Sequence, residues 1–207
     1  NLNDDLHFLE DDKGFVWGSE RLGFHHLYLY DMDGKLRHAI SAGGHDIDKL
    51  LAVDENAGMV YAQSNRDFVG DHQVYAYALD GSTALKPQRI SQRDGKHSAE
   101  FARDGSFYVD TFSDPTTPPQ VAIVGNDGNR IAWIEENKLD AQHPFWPYRH
   151  LLTKPEFGTI PASDGQLLHY RVYMPEGFDP LKKYPVFNSY YGGPTSHRAL
   201  RNFDNVV

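Results

Sequence analysis

The sequence contains no cysteine among its 207 residues, which excludes disulfide bonds and thiolate metal sites. It also lacks an apolar run near the roughly 18–20 residues that cross a bilayer as a helix, so no membrane span is expected. Positive charge is in deficit. Lys and Arg number 20 against 29 Asp and Glu, and the net charge of -9 argues against a nucleic-acid partner. The composition is that of an ordinary soluble globular protein. The absence of cysteine does not decide between a periplasmic and a cytoplasmic location.

Neither end of the sequence has the features of a complete protein. The N-terminus begins without Met and without the basic-then-apolar layout of a signal peptide. The C-terminus stops after Asn-Val-Val with no closing element. Both ends lead us to expect a part of a longer protein.

A repeat of 47 residues organises the first two thirds of the chain. The Asp-Gly pair that ends at Gly34 recurs at Gly81 and Gly128, each time after a strand-like apolar run. A further turn rich in Asp and Gly precedes each copy. Asp-Gly between alternating apolar runs predicts a β-hairpin, because the primed turns need positive φ. Four short strands in a unit of this length are typical of a β-propeller blade, and the constant period disfavours the alternative, a β-sandwich of unrelated hairpins.

The repeat and its end predict a mainly β protein with two parts. Residues 1–134 are assigned to about three four-stranded propeller blades, 135–156 to a linker and 157–207 to a second, truncated domain. The linker is placed at a stretch rich in proline and aromatic residues, because proline holds its neighbours in extended forms. Long helices are hard to place before residue 135.

The second part begins with a strand pattern. A strand is predicted at 157–160, an Asp-Gly turn ends at Gly165, and a longer strand follows at 167–174. A third strand is predicted at 184–190 and is expected to be buried, since its residues form an apolar run.

Three stretches of this sequence carry a family likeness. They are Trp-Gly-Ser-Glu-Arg-Leu-Gly-Phe-His-His-Leu-Tyr at 17–28, Tyr-Met-Pro-Glu-Gly-Phe at 173–178 with Lys-Lys-Tyr-Pro-Val at 182–186, and Tyr-Gly-Gly-Pro at 191–194. In that order they resemble a blade signature, the second and third strands of the catalytic domain, and the Tyr-x-Gly-Pro loop of dipeptidyl-peptidase-IV-type serine peptidases, a branch of the prolyl oligopeptidase family. The resemblance covers essentially the whole chain.

The resemblance implies a partial β-propeller followed by the first strands of an α/β-hydrolase domain. The parent protein would release Xaa-Pro or Xaa-Ala dipeptides from peptides with a free N-terminus, through an acyl-enzyme on a Ser that works with an Asp and a His. Tyr191 would donate its hydroxyl group to the oxyanion. Spacing alone favours the interpretation of Tyr190 and Tyr191 as packing residues at a strand end. No cofactor is implied, and the full protein is expected to form a homodimer.

The nucleophile motif of such enzymes is missing from this sequence. No glycine begins a Gly-x-Ser-x-Gly elbow, and the acidic pair that binds the substrate amine is expected in earlier blades. The chain alone is therefore expected to be inactive. The alternatives are a non-catalytic propeller module that binds peptides or proteins, and an acylaminoacyl-type or oligopeptidase-type relative.

Several histidines and serines are candidates for catalytic or metal-binding residues, but we interpret them as structural. Ser196 and His197 are adjacent, which prevents an in-line Ser–His pair, and Ser189 is expected in the core or at an edge. His25 and His26 should point to opposite faces of one strand.

Two further groups complete the set of candidates. His45 and Asp48 lack the spacing of known zinc or calcium sites, so no metal site is predicted. Glu20 and Arg21 are interpreted as an ion pair or a loop contact. Alternating tyrosines are assigned to sheet packing, namely Tyr28, Tyr30, Tyr75 and Tyr77.

Overall fold

The computed structural model describes residues 4–190 and 197–203, and this part of the chain is mainly β, as the sequence predicts. Three antiparallel sheets of four strands follow one another along the chain, each with its strands side by side in sequence order. A two-stranded hairpin comes after them. Helix in the described residues is limited to two short 3-10 segments, Glu10–Asp12 and Trp146–Leu151.

The three sheets occupy successive stretches of sequence. The strands of sheet 1 are β1 (Leu6–Phe8), β2 (Phe15–Ser19), β3 (His26–Tyr30) and β4 (Leu36–Ala39). The strands of sheet 2 are β5 (Ile47–Asp54), β6 (Met59–Ser64), β7 (Gln73–Ala78) and β8 (Gln88–Arg89). The strands of sheet 3 are β9 (Lys96–Phe101), β10 (Phe107–Asp114), β11 (Thr117–Gly125) and β12 (Arg130–Glu135). The hairpin consists of β13 (Glu156–Pro161) and β14 (Leu167–Val172).

The repeated Asp-Gly pairs form the turns between the third and fourth strands of the sheets. Gly34, Gly81 and Gly128 have φ values of 77°, 77° and 83°, in the left-handed region that favours glycine. The hairpin turn at Gly165, with φ 87°, follows the same rule. The positions of these reversals are therefore as predicted, but the turns are not of the primed type, because the Asp before each repeated Gly does not have positive φ.

Sheet 2 lies between the other two sheets and buries both of its faces. Along β6, Val60 and Ala62 pack in the cluster shared with sheet 1, whereas Tyr61 packs in the cluster shared with sheet 3. On β7, Tyr75 and Tyr77 lie toward sheet 1. Successive side chains of a strand point to opposite faces, so one alternating sequence supplies two hydrophobic cores.

The turns also join each sheet to the one before it. A Cβ atom at Gly81 would lie 2.6 Å from the carbonyl oxygen of Ala39, at the end of sheet 1. At Gly128 it would lie 2.2 Å from the carbonyl oxygen of Ile90, which follows β8. The same turn of the repeat thus presses against the outer edge of the preceding sheet, and the absence of a side chain permits this approach.

A buried polar residue occupies the same place in each repeat. His26, Gln73 and Gln120 are 47 residues apart near the start of the third strand, and each is at most 8% exposed. The His26 Nδ1 atom lies 3.0 Å from Ser41 Oγ, and Ser91 Oγ donates to Gln73 Oε1 at 2.6 Å. Only the period of the repeat marks these positions in the sequence, because the hydrophobic pattern does not.

The predicted third strand of the second part is wrong. Residues 184–190 are not in a strand, and Val186 and Phe187 are 89% and 96% exposed. A strand is stabilised by ladder hydrogen bonds to a neighbour, and the nearest strands in sequence, β13 and β14, pair with each other. The strand predicted at 167–174 is shorter than expected and ends at Val172.

Candidate functional site

Tyr191, the predicted oxyanion donor, lies outside the described residues, as does Ser196. Tyr190, on its N-terminal side, is 87% exposed. Ser189 is exposed, which corrects the expectation of a core or edge serine, and His197 is exposed as well. The role of Tyr191 therefore stays a prediction, and the described site consists of the residues that follow it and the surface they contact.

Residues 197–203 pack against the loops at one end of sheets 2 and 3. The Arg201 backbone N–H donates to the Gly70 carbonyl at 2.8 Å, in the loop between β6 and β7. The Phe203 N–H donates to Ser113 Oγ at 3.4 Å, near the end of β10. From the hairpin, Arg171 donates to the Leu200 carbonyl at 3.2 Å. Three separate elements thus hold this short segment.

A buried ion pair lies at the centre of this contact. Asp71 is 1% exposed, and its Oδ2 atom lies 3.1 Å from Arg201 Nη1 and 3.3 Å from Gln73 Nε2. Burial raises the pKa of the Asp71 carboxyl group, while the Arg201 guanidinium and the Gln73 amide oppose this shift. A buried carboxylate that loses its cation is costly, so the pair fixes where Arg201 must lie.

Aromatic rings support the same guanidinium. Arg201 lies over the Phe68 ring at 4.2 Å and near the Phe157 ring at 5.6 Å. The two rings meet edge to face with their centroids 5.5 Å apart. Because Phe68 belongs to the loop before β7 and Phe157 to β13, this cluster joins sheet 2, the hairpin and the 197–203 segment.

A cleft of about 390 Å³ opens beside the ion pair. Its carboxylates already have cationic partners. Asp94 pairs with Arg89 at 2.9 Å and with Arg201 at 3.4 Å, and Asp114 pairs with Arg93 at 3.2 Å. The charged and aromatic residues that line the cleft are Asp94, Asp114, Lys154, Phe157 and Arg201.

The histidines proposed as structural take separate positions. The backbone N–H of His25 donates to Asp46 Oδ1 and its Nδ1 lies 2.6 Å from the Ile47 carbonyl, whereas His26 turns to the opposite face of the strand, toward Ser41. Their opposite orientation is as predicted.

The side chains of His45 and Asp48 also contact different partners. The His45 ring packs edge to face on His26 with centroids 5.2 Å apart, while Asp48 pairs with His72 at 2.9 Å. Burial, the Arg66 guanidinium and His26 lower the pKa of His45 to about 4. Across residues 4–190 and 197–203, the structure contains no group of three His, Asp or Glu side chains placed to bind a metal ion.

Glu20 and Arg21 do not form the predicted ion pair with each other. Arg21 donates to the Tyr30 hydroxyl at 2.6 Å and lies over the Tyr28 ring at 4.9 Å, while Glu20 is exposed. Arg21 thus contacts strand β3 of sheet 1, rather than Glu20 or a loop.

The sequence does not indicate one buried His–Asp pair, His97 with Asp110. His97 is 3% exposed, and its Nδ1 lies 2.8 Å from Asp110 Oδ2, as in the charge pair of a hydrolase triad. Its Nε2, however, lies 2.9 Å from the Arg93 carbonyl oxygen. Both ring nitrogens therefore have internal partners, which leaves none for a nucleophile and makes the pair a link within sheet 3.

Comparison with known protein families shows to which family the chain belongs. The sequence model of the family described as the dipeptidyl peptidase IV (DPP IV) N-terminal region matches residues 1–119, more than half of the chain. The chain belongs to this family. This match includes sheets 1 and 2 and the first two strands of sheet 3. No helix in the described part of this DPP IV family member is long and apolar enough to cross a membrane.

Curated relatives and a solved structure agree with this family. Dipeptidyl peptidase 4 of Arthroderma otae is 29% identical over 178 residues, which are 85% of this chain and 22% of the relative. Dipeptidyl peptidase 4 of Trichophyton rubrum is 26% identical over 188 residues, 91% of this chain and 24% of the relative. The crystal structure of Porphyromonas gingivalis dipeptidyl peptidase 4 is similar with a TM-score of 0.80 and 29% identity, over 97% of this chain and 27% of that chain. The chain thus spans about a quarter of the length of the proteins it matches.

Proposed function

We propose that this chain forms part of a serine exopeptidase that releases Xaa-Pro and Xaa-Ala dipeptides from peptides with a free N-terminus. The observation that carries the proposal is the similarity to the P. gingivalis dipeptidyl peptidase 4 structure, because it extends over 97% of the chain. It therefore extends over the hairpin as well as the three sheets. The curated relatives, which are named dipeptidyl peptidase 4, support the same reaction class.

In this proposal each four-stranded sheet is one propeller blade. The repeated contact of the Asp-Gly turn with the preceding sheet, at Gly81 and again at Gly128, supports a regular succession of blades. Residues 1–134 then belong to the propeller, 135–156 to the linker and 157–207 to the start of an α/β-hydrolase domain.

Tyr191 is the residue of this chain that we assign to the chemistry. When a serine attacks the peptide carbonyl group, negative charge develops on its oxygen, and a phenol hydroxyl fixed about 2.7–3.1 Å away stabilises that charge. The nucleophile and its Asp and His partners lie outside this sequence, which has no Gly-x-Ser-x-Gly motif. His97 is unsuited to the role of general base because both of its ring nitrogens have partners.

Hydrolysis by the full-length protein tests this function. It should release p-nitroaniline from a Gly-Pro derivative with a free amine and should be inhibited by a serine-reactive fluorophosphonate, whereas the isolated 207-residue chain should be inactive. Acetylation of the substrate amine should abolish turnover. If the acetylated substrate were preferred, the acylaminoacyl-type alternative would replace the proposal, and peptide binding without any hydrolysis would favour the non-catalytic module.

A further inference from the structure

We propose that a cavity on the face of sheet 3 toward sheet 2 is a binding site for a phenol, whose ring would lie over Ala122 and whose hydroxyl group would donate to Asp110 Oδ1. The cavity has a volume of about 90 Å³. Strands β10, β11 and β12 of sheet 3 line it together with residues 91–93, which follow β8. Binding at this cavity does not depend on the proposed peptidase function.

A small residue in the repeat creates the cavity. Tyr28, Tyr75 and Ala122 are 47 residues apart and occupy the same place in the third strand of their sheets. In sheet 2, Tyr75 is 1% exposed and packs toward sheet 1, beside its partner Ala62 on β6. In sheet 3, Ala122 packs toward sheet 2, and its partner on β10 is Asp110. Sheet 3 therefore lacks the phenol ring that fills this place in sheet 2.

Aromatic side chains surround Ala122. Residues two positions apart on a strand share a face, so Tyr108 and Phe112 lie on either side of Asp110 along β10. Trp133 is the partner of Ala122 on β12. All three rings line the cavity. One water molecule needs roughly 10–15 Å³, so a cavity of about 90 Å³ has room for about six atoms of that size, which is the size of one six-membered ring.

Asp110 supplies a hydrogen-bond acceptor at this cavity. It is 8% exposed, and its Oδ2 atom lies 2.8 Å from His97 Nδ1. The other carboxylate oxygen, Oδ1, is buried and has no hydrogen-bond partner among the described residues. His97 is fixed in turn by the Arg93 carbonyl oxygen, 2.9 Å from its Nε2 atom. A buried carboxylate oxygen without a donor is unfavourable, so a ligand that brings an O–H group gains from donating to it.

The charges around the cavity favour a neutral donor. Two guanidinium groups line it, that of Arg93 over the Phe112 ring at 3.9 Å and that of Arg130 over the Trp133 ring at 4.3 Å. Both would repel an ammonium group. A phenol is uncharged, and its hydrogen bond to a carboxylate is stronger than one between two neutral groups. Arg130 is exposed, so this side of the cavity reaches the surface at the outer strand of sheet 3.

Isothermal titration calorimetry on the full-length protein tests the site with matched ligands. p-Cresol should bind with a Kd on the order of 1 mM or below. 4-Methylanisole has the same ring with a methyl ether in place of the O–H group, and it should bind at least roughly tenfold more weakly because Asp110 Oδ1 then lacks a donor.

A third ligand distinguishes two sources of the phenol. N-Acetyl-tyrosinamide carries the same ring on a peptide unit. Affinity similar to that of p-cresol would assign the site to a tyrosine side chain of a peptide, whereas binding of p-cresol alone would assign it to a free phenol. Either pattern supports a phenol site.

Variants of sheet 3 locate the bound ligand. Ala122→Tyr should abolish p-cresol binding, because its ring fills the cavity as that of Tyr75 does in sheet 2. Ala122→Leu should do the same and provides a second variant if Ala122→Tyr does not fold. The matched control is Ala132→Tyr. Ala132 is exposed and pairs with Ile123, so its side chain lies on the other face of the sheet, and the change should alter the Kd by less than about twofold.

Three results would overturn the proposal. Absence of p-cresol binding to the unaltered protein would mean that the cavity takes water only. Equal affinity of the unaltered protein and of folded Ala122→Tyr and Ala122→Leu would place the ligand elsewhere. Equal affinity for p-cresol and 4-methylanisole would remove the role of Asp110 and with it the choice of a phenol. The proposed peptidase function would stand in each case.

Discussion

The three sheets and the region from 156 to 190 have similar apolar strand sequences, yet the apolar side chains are buried in the sheets and largely exposed in the later region. In sheet 2, Val60 and Tyr77 are 0% exposed because a sheet covers each face. In the hairpin, Leu167 and Leu168 are 60% and 56% exposed, and Phe187 beyond it is 96% exposed. An apolar pattern thus predicts which side chains tend to be buried. Whether they are buried depends on a neighbouring sheet that packs against them.

The largest effect should separate these two regions directly. In the 207-residue chain, Tyr77→Ala should lower the free energy of unfolding by about 3–5 kcal/mol, because it leaves a cavity between sheets 1 and 2. Phe187→Ala should change it by less than about 0.5 kcal/mol, because the side chain is exposed. Urea denaturation measures both, and equal losses would show that the two regions do not differ as described.

A smaller effect should isolate the contact between successive sheets. Gly34→Ala and Gly128→Ala place a methyl group in the same turn at nearly the same φ, but a Cβ at Gly34 has no atom within 4 Å, whereas at Gly128 it would overlap the Ile90 carbonyl oxygen. Gly34→Ala should cost about 1–2 kcal/mol from backbone strain alone, and Gly128→Ala about 1–3 kcal/mol more. The same denaturation experiment compares them, and similar costs would argue against a close turn-to-sheet contact.

An effect of similar size concerns pH and involves His26 on β3 and His45 in the loop before β5. Burial lowers the pKa of His26, and burial with Arg66 and His26 lowers that of His45 to about 4. Between the ordinary value of 6.5 and about 4, the unfolded chain binds protons that the folded chain resists, so stability falls as the pH is lowered through this window. The loss attributable to His45 should reach about 2–3 kcal/mol near pH 4.

His45→Gln should remove that part of the acid sensitivity. Thermal or urea unfolding of both proteins between pH 7 and pH 4 provides the comparison, with the difference between them growing as the pH falls. Parallel curves over this range would mean that His45 is not kept neutral by its surroundings.

Local patterns account for what the sequence predicted well. Asp-Gly turns at Gly34, Gly81 and Gly128 depend on the residues of the turn itself, and the alternation of Tyr75 and Tyr77 depends on the pleat of one strand. The same reasoning failed at 184–190, because whether an apolar run forms a strand depends on a partner to pair with.

Long-range polar pairs could not be predicted in the same way. Asp71 and Arg201 are 130 residues apart, and neither stands in a motif that marks it. His97 and Asp110 are brought together by the register of β9 and β10, in which Asp110 pairs with Ala99. Only His26, Gln73 and Gln120 carried a readable signal, in their common spacing of 47 residues.

The measurement that tests the central claim most directly is kcat of Tyr191→Phe beside that of Tyr190→Phe, in the full-length protein with the Gly-Pro substrate. The proposed oxyanion role predicts a loss of roughly 10²–10³-fold for Tyr191→Phe. Tyr190, which is 87% exposed, should tolerate the same change with little loss. Equal activity of the two variants, or a larger loss for Tyr190→Phe, would contradict the assignment of Tyr191 to the chemistry.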